Sequence, residues 1–490
     1  MWFARRKTNT RFDPSSLGFV EARWLLCILL WGGAAHATYF DDVGYTALAN
    51  TLGGTLPEGT GHTVDQIEAS VSAPENTPLY LADPADPAFA VTLISDASGL
   101  NNSTFSGHAT SVAKRFASAQ GSLTPALSSI DGYYVNDWLT SVLFAGTTLT
   151  PLLGTGETAN HSWVGNASTA AENLELLQRL DWLINESSFV QVAGVDRNNP
   201  LNSQAFNVLA VGMTSTSTSY GTKALDGIYQ ADRATPHLVA PLTSRSEATG
   251  SVTSAVVLLS ALNGASLSPQ LTKALLMAGA ARETANSQSG DIENYGQQPT
   301  QNGLDYRYGA GQLDVHATHQ ILLAGQHGPG TIGAFGFDER QGFGTPNEVS
   351  GYLLMSGAAG GEFVASLVWP LNIAVAGSVF DPTISLDNLD LELVDVTGGG
   401  AISMALSDST IDNTENIRVI LAPERYYEIR VKHQSQQPST INYALAWRIN
   451  GWQPTAIKVR NVPLPMIGMV FLVFLVGTIG ALRYRPRSPR

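Results

Sequence analysis

Glu68, His108 and Ser251 follow one another along a chain of 490 residues, each at a place where a strand-like run ends or a helix-like run begins. TVDQIE closes on Glu68, SGHATSVAKRF enters a helix at His108, and EATGSVTSAVVLLSAL enters a longer one at Ser251. A serine hydroxyl becomes a nucleophile when an imidazole takes its proton. A carboxylate on the other ring nitrogen fixes the tautomer and stabilises the imidazolium. Three such groups at element ends could meet in one cleft, because there the backbone is fixed while the side chain faces open space. The helix start at His108 is expected to disfavour the protonated ring and keep it a neutral base. Each residue alone has a plainer reading: His108 as a polar helix cap, Ser251 as an N-cap, Glu68 as a solvated strand end.

The elements needed to hold these groups are legible around them. Between residues 38 and 325, aliphatic and β-branched runs (FVQVAGV, NVLAVGM, HLVAP) alternate with helical patterns such as NLELLQRLDWLINE. Strands separated by helices predict right-handed crossovers and a parallel sheet covered on both faces, a three-layer α/β domain. From about Gly325 the glycine-rich segments GQHGPGTIGAFGF, SGAAGGEF and TGGGAIS separate short runs such as LDLELVDV, IRVILA, YYEIRVKH and NYALAWRI. Their even spacing predicts an all-β sandwich over residues 326–458.

Four segments, in order, carry a resemblance to a known family. Gly107 to Ala113 (GHATSVA) resembles the histidine motif of the subtilisin-like serine proteases, with Ala109 where the family has glycine. NVLAVG (Asn207 to Gly212), PHLVAP (Pro236 to Pro241) and YGAGQLDVHAT (Tyr308 to Thr318) resemble the family's strand before the substrate loops, the segment ahead of the nucleophile and the closing turn and helix. The resemblance spans roughly residues 60 to 320. It implies a subtilisin-like three-layer fold and peptide-bond hydrolysis, with Ser251 as nucleophile, His108 as proton shuttle and Glu68 orienting His108. The helix hydrophobics Val256 to Leu259 and Leu262 favour Ser251 over Ser254 in that role.

The departures are as informative. Glu68-Ala69-Ser70 stands where the family has Asp-Thr-Gly, so the orienting carboxylate is one methylene longer. Thr249-Gly250-Ser251 keeps the family's serine, but the proline that follows it is lost. The oxyanion donor of the family is an Asn after an Ala-Gly strand end; here VQVAGVDRNN puts Val195 or Asp196 there, with Asn198 a short loop away as substitute and the Ser251 backbone N–H as a second donor. NHSWVG resembles the edge that pairs with extended peptide, with Ser162 and Gly165 as its contact residues and Trp163 as either a pocket wall or a core residue. These changes motivate a second reading, a catalytically impaired pseudopeptidase serving as a surface binding or adhesion module. A third, a different serine hydrolase, lacks the G-x-S-x-G elbow.

The ends and the composition set the context. Residues 1–37 have a basic flank, a short apolar core and an Ala-His-Ala ending, and read as a secretory signal cut after Ala37. The one cysteine, Cys27, lies inside it, so disulfide and thiolate chemistry are excluded from the chain beyond. Residues 462–490 carry an uncharged run from Met466 to Leu482 followed by four arginines. It reads as a membrane span with a cytoplasmic basic tail, and it is similar to the PEP-CTERM type of sorting signal, which implies a sorting transpeptidase as partner. The expected location is the outer face of the membrane, the cell surface or the medium. A formal charge of −14 argues against nucleic acid. No cofactor is required by this chemistry. In the sandwich Asp387, Asp390 and Asp412 are candidates for a structural calcium, or are solvated turn aspartates.

Overall fold

The structure, a computed structural model, describes residues 38–70, 78–100, 104–154, 156–196, 198, 201–214, 220–282, 295–435 and 438–451. The signal and the membrane or sorting segment expected at 1–37 and 462–490 lie outside them. No helix among the described residues is long and apolar enough to cross a membrane.

The chain opens with two short helices, α1 (Tyr39–Asp42) and α2 (Tyr45–Leu52), and then alternates as the sequence predicts. The order is β1 (Thr63–Glu68), β2 (Leu93–Asp96), α3 (Gly107–Ala117), β3 (Ser129–Tyr134), β4 (Thr158–His161), α4 (Ala170–Ser187), β5 (Val190–Gly194), β6 (Leu209–Met213), β7 (Leu238–Ala240), α5 (Arg245–Asn263), α6 (Pro269–Gly279) and α7 (Val315–Ala324). The seven strands form one parallel sheet in the order β2-β3-β1-β4-β5-β6-β7. Central strands such as β6 (LAVGM) are buried at every residue, as a sheet covered on both faces requires.

Alternate residues of one strand reach opposite layers. Val190 and Val192 of β5 pack with Ala248, Val252, Ala255 and Leu259 of α5, while Ala193 packs with Leu176, Leu180 and Ile184 of α4. On the first face α3 lies beside α5, Val112 and Phe116 sharing a core with Val257. Local chemistry starts the helices: Ser106 accepts the Ala109 N–H at the head of α3, Thr169 and Glu172 form a capping box on α4, and Asp314 caps α7. β1 lies between β3 and β4, so the chain goes to one side of β1 and then crosses to the other. The carboxyl ends of β1 and β4 are therefore the switch point at which α/β sheets form their crevices.

The second unit runs from β8 (Gly330–Thr331) through β9 (Phe335–Phe343), β10 (Val349–Met355), β11 (Gly361–Val368), the hairpin β12–β13 (Asn372–Val375 and Pro382–Ser385), β14 (Leu389–Asp395), β15 (Ile402–Ser407), β16 (Thr414–Leu421) and β17 (Tyr426–His433) to β18 (Ile441–Asn450). A five-stranded sheet, β15-β14-β17-β10-β8, faces a four-stranded one, β16-β11-β18-β9. Leu391, Leu393, Ile429 and Tyr352 from the first interdigitate with Phe363, Leu367, Leu445 and Trp447 from the second. The outer face of the four-stranded sheet is covered as well: Ala444 and Ala446 join the core built around α5 and α6. Arg448 donates to the Ala278 and Ala280 carbonyls at the end of α6 (2.7 and 2.9 Å), satisfying acceptors that no further turn of helix supplies with donors.

Candidate active site

β1 ends on Glu68 and the helix α3 begins one residue before His108, so the two arrive at the same crevice from a strand end and a helix start. Glu68 is buried. Its Oε1 accepts from Gln66 Nε2 at 3.0 Å, and its Oε2 accepts from His108 Nδ1 at 2.9 Å. Gln66 also donates to the Ala109 carbonyl (2.9 Å), tying the strand to the first turn of α3. The extra methylene of glutamate is therefore absorbed by a clamped strand end. With Nδ1 engaged, Nε2 is the nitrogen left for proton transfer. Ser106, not His108, caps the helix. The Glu68 hydrogen bond holds the His108 imidazole above its ordinary range, against the opposing effect of burial. This corrects the expectation that the ring is held neutral at the helix start: the hydrogen bond to the adjacent carboxylate favours the protonated form.

Ser251 does not reach this crevice. Helix α5 begins at Arg245, six residues before the position expected from the sequence, so Ser251 lies in its second turn. It is wholly buried and hydrogen-bonds the hydroxyl of Tyr39 in α1. Burial in turn pushes the Tyr39 phenol up to about 12. The glycine before it marks a helix contact, not a turn: a Cβ on Gly250 would stand 3.0 Å from Arg115 Cβ and 3.0 Å from the Val112 carbonyl oxygen. Ser254 is buried too, and is bonded to Ser122, Thr124 and the Leu123 N–H.

Two serines do reach the crevice, Ser162 just after β4 and Ser246 at the head of α5. A cavity of about 240 Å³ is lined by Glu68, Ala69, His108, Ser162, Trp163, Val164, Gly194, Val195, Arg245 and Ser246. Ser246 is the second residue of α5, and its Oγ donates to the Ser162 carbonyl at 3.1 Å. Ser162 Oγ in turn lies 3.0 Å from the Ser246 carbonyl oxygen and 2.8 Å from Asn160 Oδ1. Asn160 Nδ2 donates to Thr253 of α5 at 2.9 Å, so the end of β4 and the head of α5 are locked together. In the first turn of a helix the backbone N–H groups lack partners within the helix, and the Ser246 N–H is one of them. One signal in the sequence marks this start: Ser244-Arg245-Ser246-Glu247 has a serine three residues before a glutamate, the pattern of a helix head.

Ser162 is thus where the sequence expects a peptide-binding edge, lining the cavity. Gly165, three residues on, is not part of the cavity lining, and its carbonyl accepts from the Leu201 N–H (3.2 Å). Trp163 is both things the sequence allowed, a buried core residue and a wall of the cavity. Its Nε1 donates to His161 Nδ1 at 3.2 Å, and His161 Nε2 lies 2.5 Å from Gln191 Oε1. This second histidine is fully buried, which pushes it down to about 4, so it is a neutral strut for Trp163.

At the end of β5, Gly194 and Val195 line the cavity, while Asp196 is engaged beside it. Asp196 Oδ1 accepts the Asn198 N–H at 2.8 Å and Oδ2 pairs with Arg245 Nη1 at 2.6 Å. Asn198 is exposed and its carbonyl accepts from Asn166 and Lys223. Neither Asp196 nor Asn198 stands where a donor to the cavity would, and the residue that does, Arg245, was not singled out in the sequence.

The three aspartates of the sandwich are used separately. Asp412 accepts from the Ala234 N–H and the Ser409 hydroxyl (2.9 and 2.8 Å), Asp390 from Gln434, and the Asp387 carbonyl from Trp369 Nε1 (2.9 Å). Among the described residues no group of three His, Cys, Asp or Glu is placed to hold a metal ion.

No family model and no curated protein matches the sequence. Among solved structures, MycP1 with its N-terminal propeptide removed is similar over 57% of this chain and 96% of that one, with a TM-score of 0.33 and 16% identity.

Proposed function

We propose that the protein is a subtilisin-like serine peptidase whose triad is Ser246, His108 and Glu68. The observation that carries this reading is the 2.9 Å pairing of His108 with a buried Glu68 in the same cavity as a serine at the head of α5. The resemblance of the histidine segment, and the order carboxylate, histidine, serine along the chain, support it.

In this mechanism a substrate carbonyl enters the cavity. Ser246 Oγ forms a bond to the carbonyl carbon as its proton passes to His108 Nε2, and the carbonyl π pair moves onto oxygen. Glu68 stabilises the imidazolium through Nδ1–H. The C–N bond then breaks, and the departing amine takes the proton from His108. Water repeats the sequence on the acyl-enzyme and restores Ser246. The Ser246 N–H, at the open end of the helix, donates to the oxyanion. Extended peptide pairs with the Ser162 to Gly165 edge, and Trp163 with Val164 supplies an apolar wall.

A second reading, a binding module on the same scaffold, is motivated by the apolar Val195 at the end of β5, where the sequence resemblance expects an amide donor. Hydrolysis of casein separates the two. Turnover by the purified protein should vanish in Ser246→Ala and persist in Ser251→Ala; a folded protein without turnover favours the binding module. Export, with tethering or sorting through residues 462–490, completes the proposal and is tested by locating the protein in cell fractions.

A further inference from the structure

The geometry points to Arg245 as the oxyanion donor of this site, in place of the amide side chain that the end of β5 lacks. This inference rests on the serine peptidase reading of the cavity. Arg245 is the first residue of α5, immediately before Ser246, and lines the same cavity. Its Nη1 is anchored across the cavity mouth, 2.6 Å from Asp196 Oδ2 and 3.3 Å from the Val195 carbonyl oxygen. The guanidinium is therefore held at the end of β5.

Asp196 holds Arg245 without competing for the cavity. The pair is asymmetric: the Asp196 side chain is 9% exposed, and that of Arg245 is 34%. Both Asp196 oxygens are spoken for, one by Arg245 and the other by the Asn198 N–H at 2.8 Å. Arg245 lines the cavity and Asp196 does not, so the cationic end of the dipole faces the reacting carbonyl. A guanidinium has five N–H donors in a rigid fork, and the anchor uses the two on Nη1. When Ser246 Oγ bonds to the carbonyl carbon and the π pair moves onto oxygen, the new negative charge forms beside a fixed positive one. The charge is shared between the Arg245 fork and the Ser246 N–H. When the C–N bond breaks, the pair returns to the carbonyl and Arg245 is unchanged. In this scheme Arg245 is a catalytic residue and Asp196 a positioning residue.

The test compares wild type, Arg245→Met, Arg245→Lys and Asp196→Asn on one chromogenic peptide, with a peptide aldehyde of the same sequence as inhibitor. The hemiacetal formed on Ser246 presents the oxyanion, whereas the substrate ground state does not. Arg245→Met should lower kcat about 10²–10³-fold with KM changed less than about threefold, and weaken aldehyde inhibition by a comparable factor. Asp196→Asn and Arg245→Lys should show the same pattern at a smaller amplitude, with the aldehyde constant tracking kcat. Exogenous guanidinium ion should partly restore kcat to Arg245→Met. The inference is overturned if kcat holds within twofold in Arg245→Met, or if the loss falls on KM alone, which would make Arg245 a substrate-binding residue. Should Arg245→Met not fold, Arg245→Lys and Asp196→Asn decide by the same two ratios. An inactive wild type that does not react with the aldehyde refutes the peptidase reading itself, an outcome distinct from an active enzyme indifferent to Arg245.

Discussion

At the residue scale the site turns on one hydrogen bond, Glu68 Oε2 to His108 Nδ1. Because that bond raises the histidine's pKa, the base is fully available only above the ordinary imidazole range of about 6.5. The rising limb of kcat/KM against pH should accordingly have its midpoint above that value. Glu68→Gln, which keeps the shape and removes the charge, should move the midpoint down and lower kcat by the order of 10³ to 10⁴. The same pairing stabilises the fold below the unfolded histidine's pKa and ceases to do so as pH rises through the folded one. Ser251→Ala belongs to a different class. It removes a buried partner of the Tyr39 hydroxyl, and should cost about 1 kcal/mol in denaturant unfolding while leaving turnover intact. Glu68 and His108 are legible in the sequence because each ends or begins a well-patterned element. Ser251 is expected at a helix entrance because Thr249-Gly250-Ser251 has the look of one, yet it is buried in the second turn of α5, and a glycine that serves helix packing carries no mark distinguishing it from one that turns the chain.

At the element scale, the starting point of α5 decides which serine faces the crevice. A helix that starts at Arg245 puts Ser246 and its N–H in the crevice, and puts Ser251 and Gly250 against α3. Gly250 is what lets α5 and α3 approach so closely, and α3 carries His108. Gly250→Val should therefore destabilise by about 1–3 kcal/mol through overpacking. The readout that matters is activity in the folded fraction: a shift of α3 against α5 moves His108 relative to Ser246, so kcat should fall even where the variant is folded by circular dichroism. The strands were legible because burial on both faces writes continuous apolar runs, as in NVLAVGM. The head of α5 is marked more faintly, because its first turn is polar and the serine-to-glutamate spacing of Ser244 and Glu247 is outweighed by the hydrophobic run that begins only at Val252.

At the scale of the whole molecule, the sheet switch point makes the crevice, and the sandwich braces the opposite side of α6. The antiparallel sheets of the second half were legible from glycine-rich turns and alternating runs, whereas their junction with the parallel sheet was not, since it is made by buried polar groups far apart in sequence. Lys273 of α6 is one of them. It is buried, donates to the Phe206 carbonyl at 3.1 Å, and is pushed down to about 7 by burial and the nearby Arg233, despite Asp181 and Asp412. Between that value and the ordinary lysine value of about 10.4 the unfolded chain binds more protons, so stability should rise with pH across this window. Lys273→Met should flatten the rise in unfolding titrations. In the proposed enzyme this architecture presents Ser246 and not Ser251 to substrate. The most direct measurement is to treat the folded protein with a fluorophosphonate and map the adduct by peptide mass spectrometry. One modified residue is expected, Ser246, with labelling abolished in His108→Ala; an adduct on Ser251, or no adduct on a folded protein, would overturn this assignment.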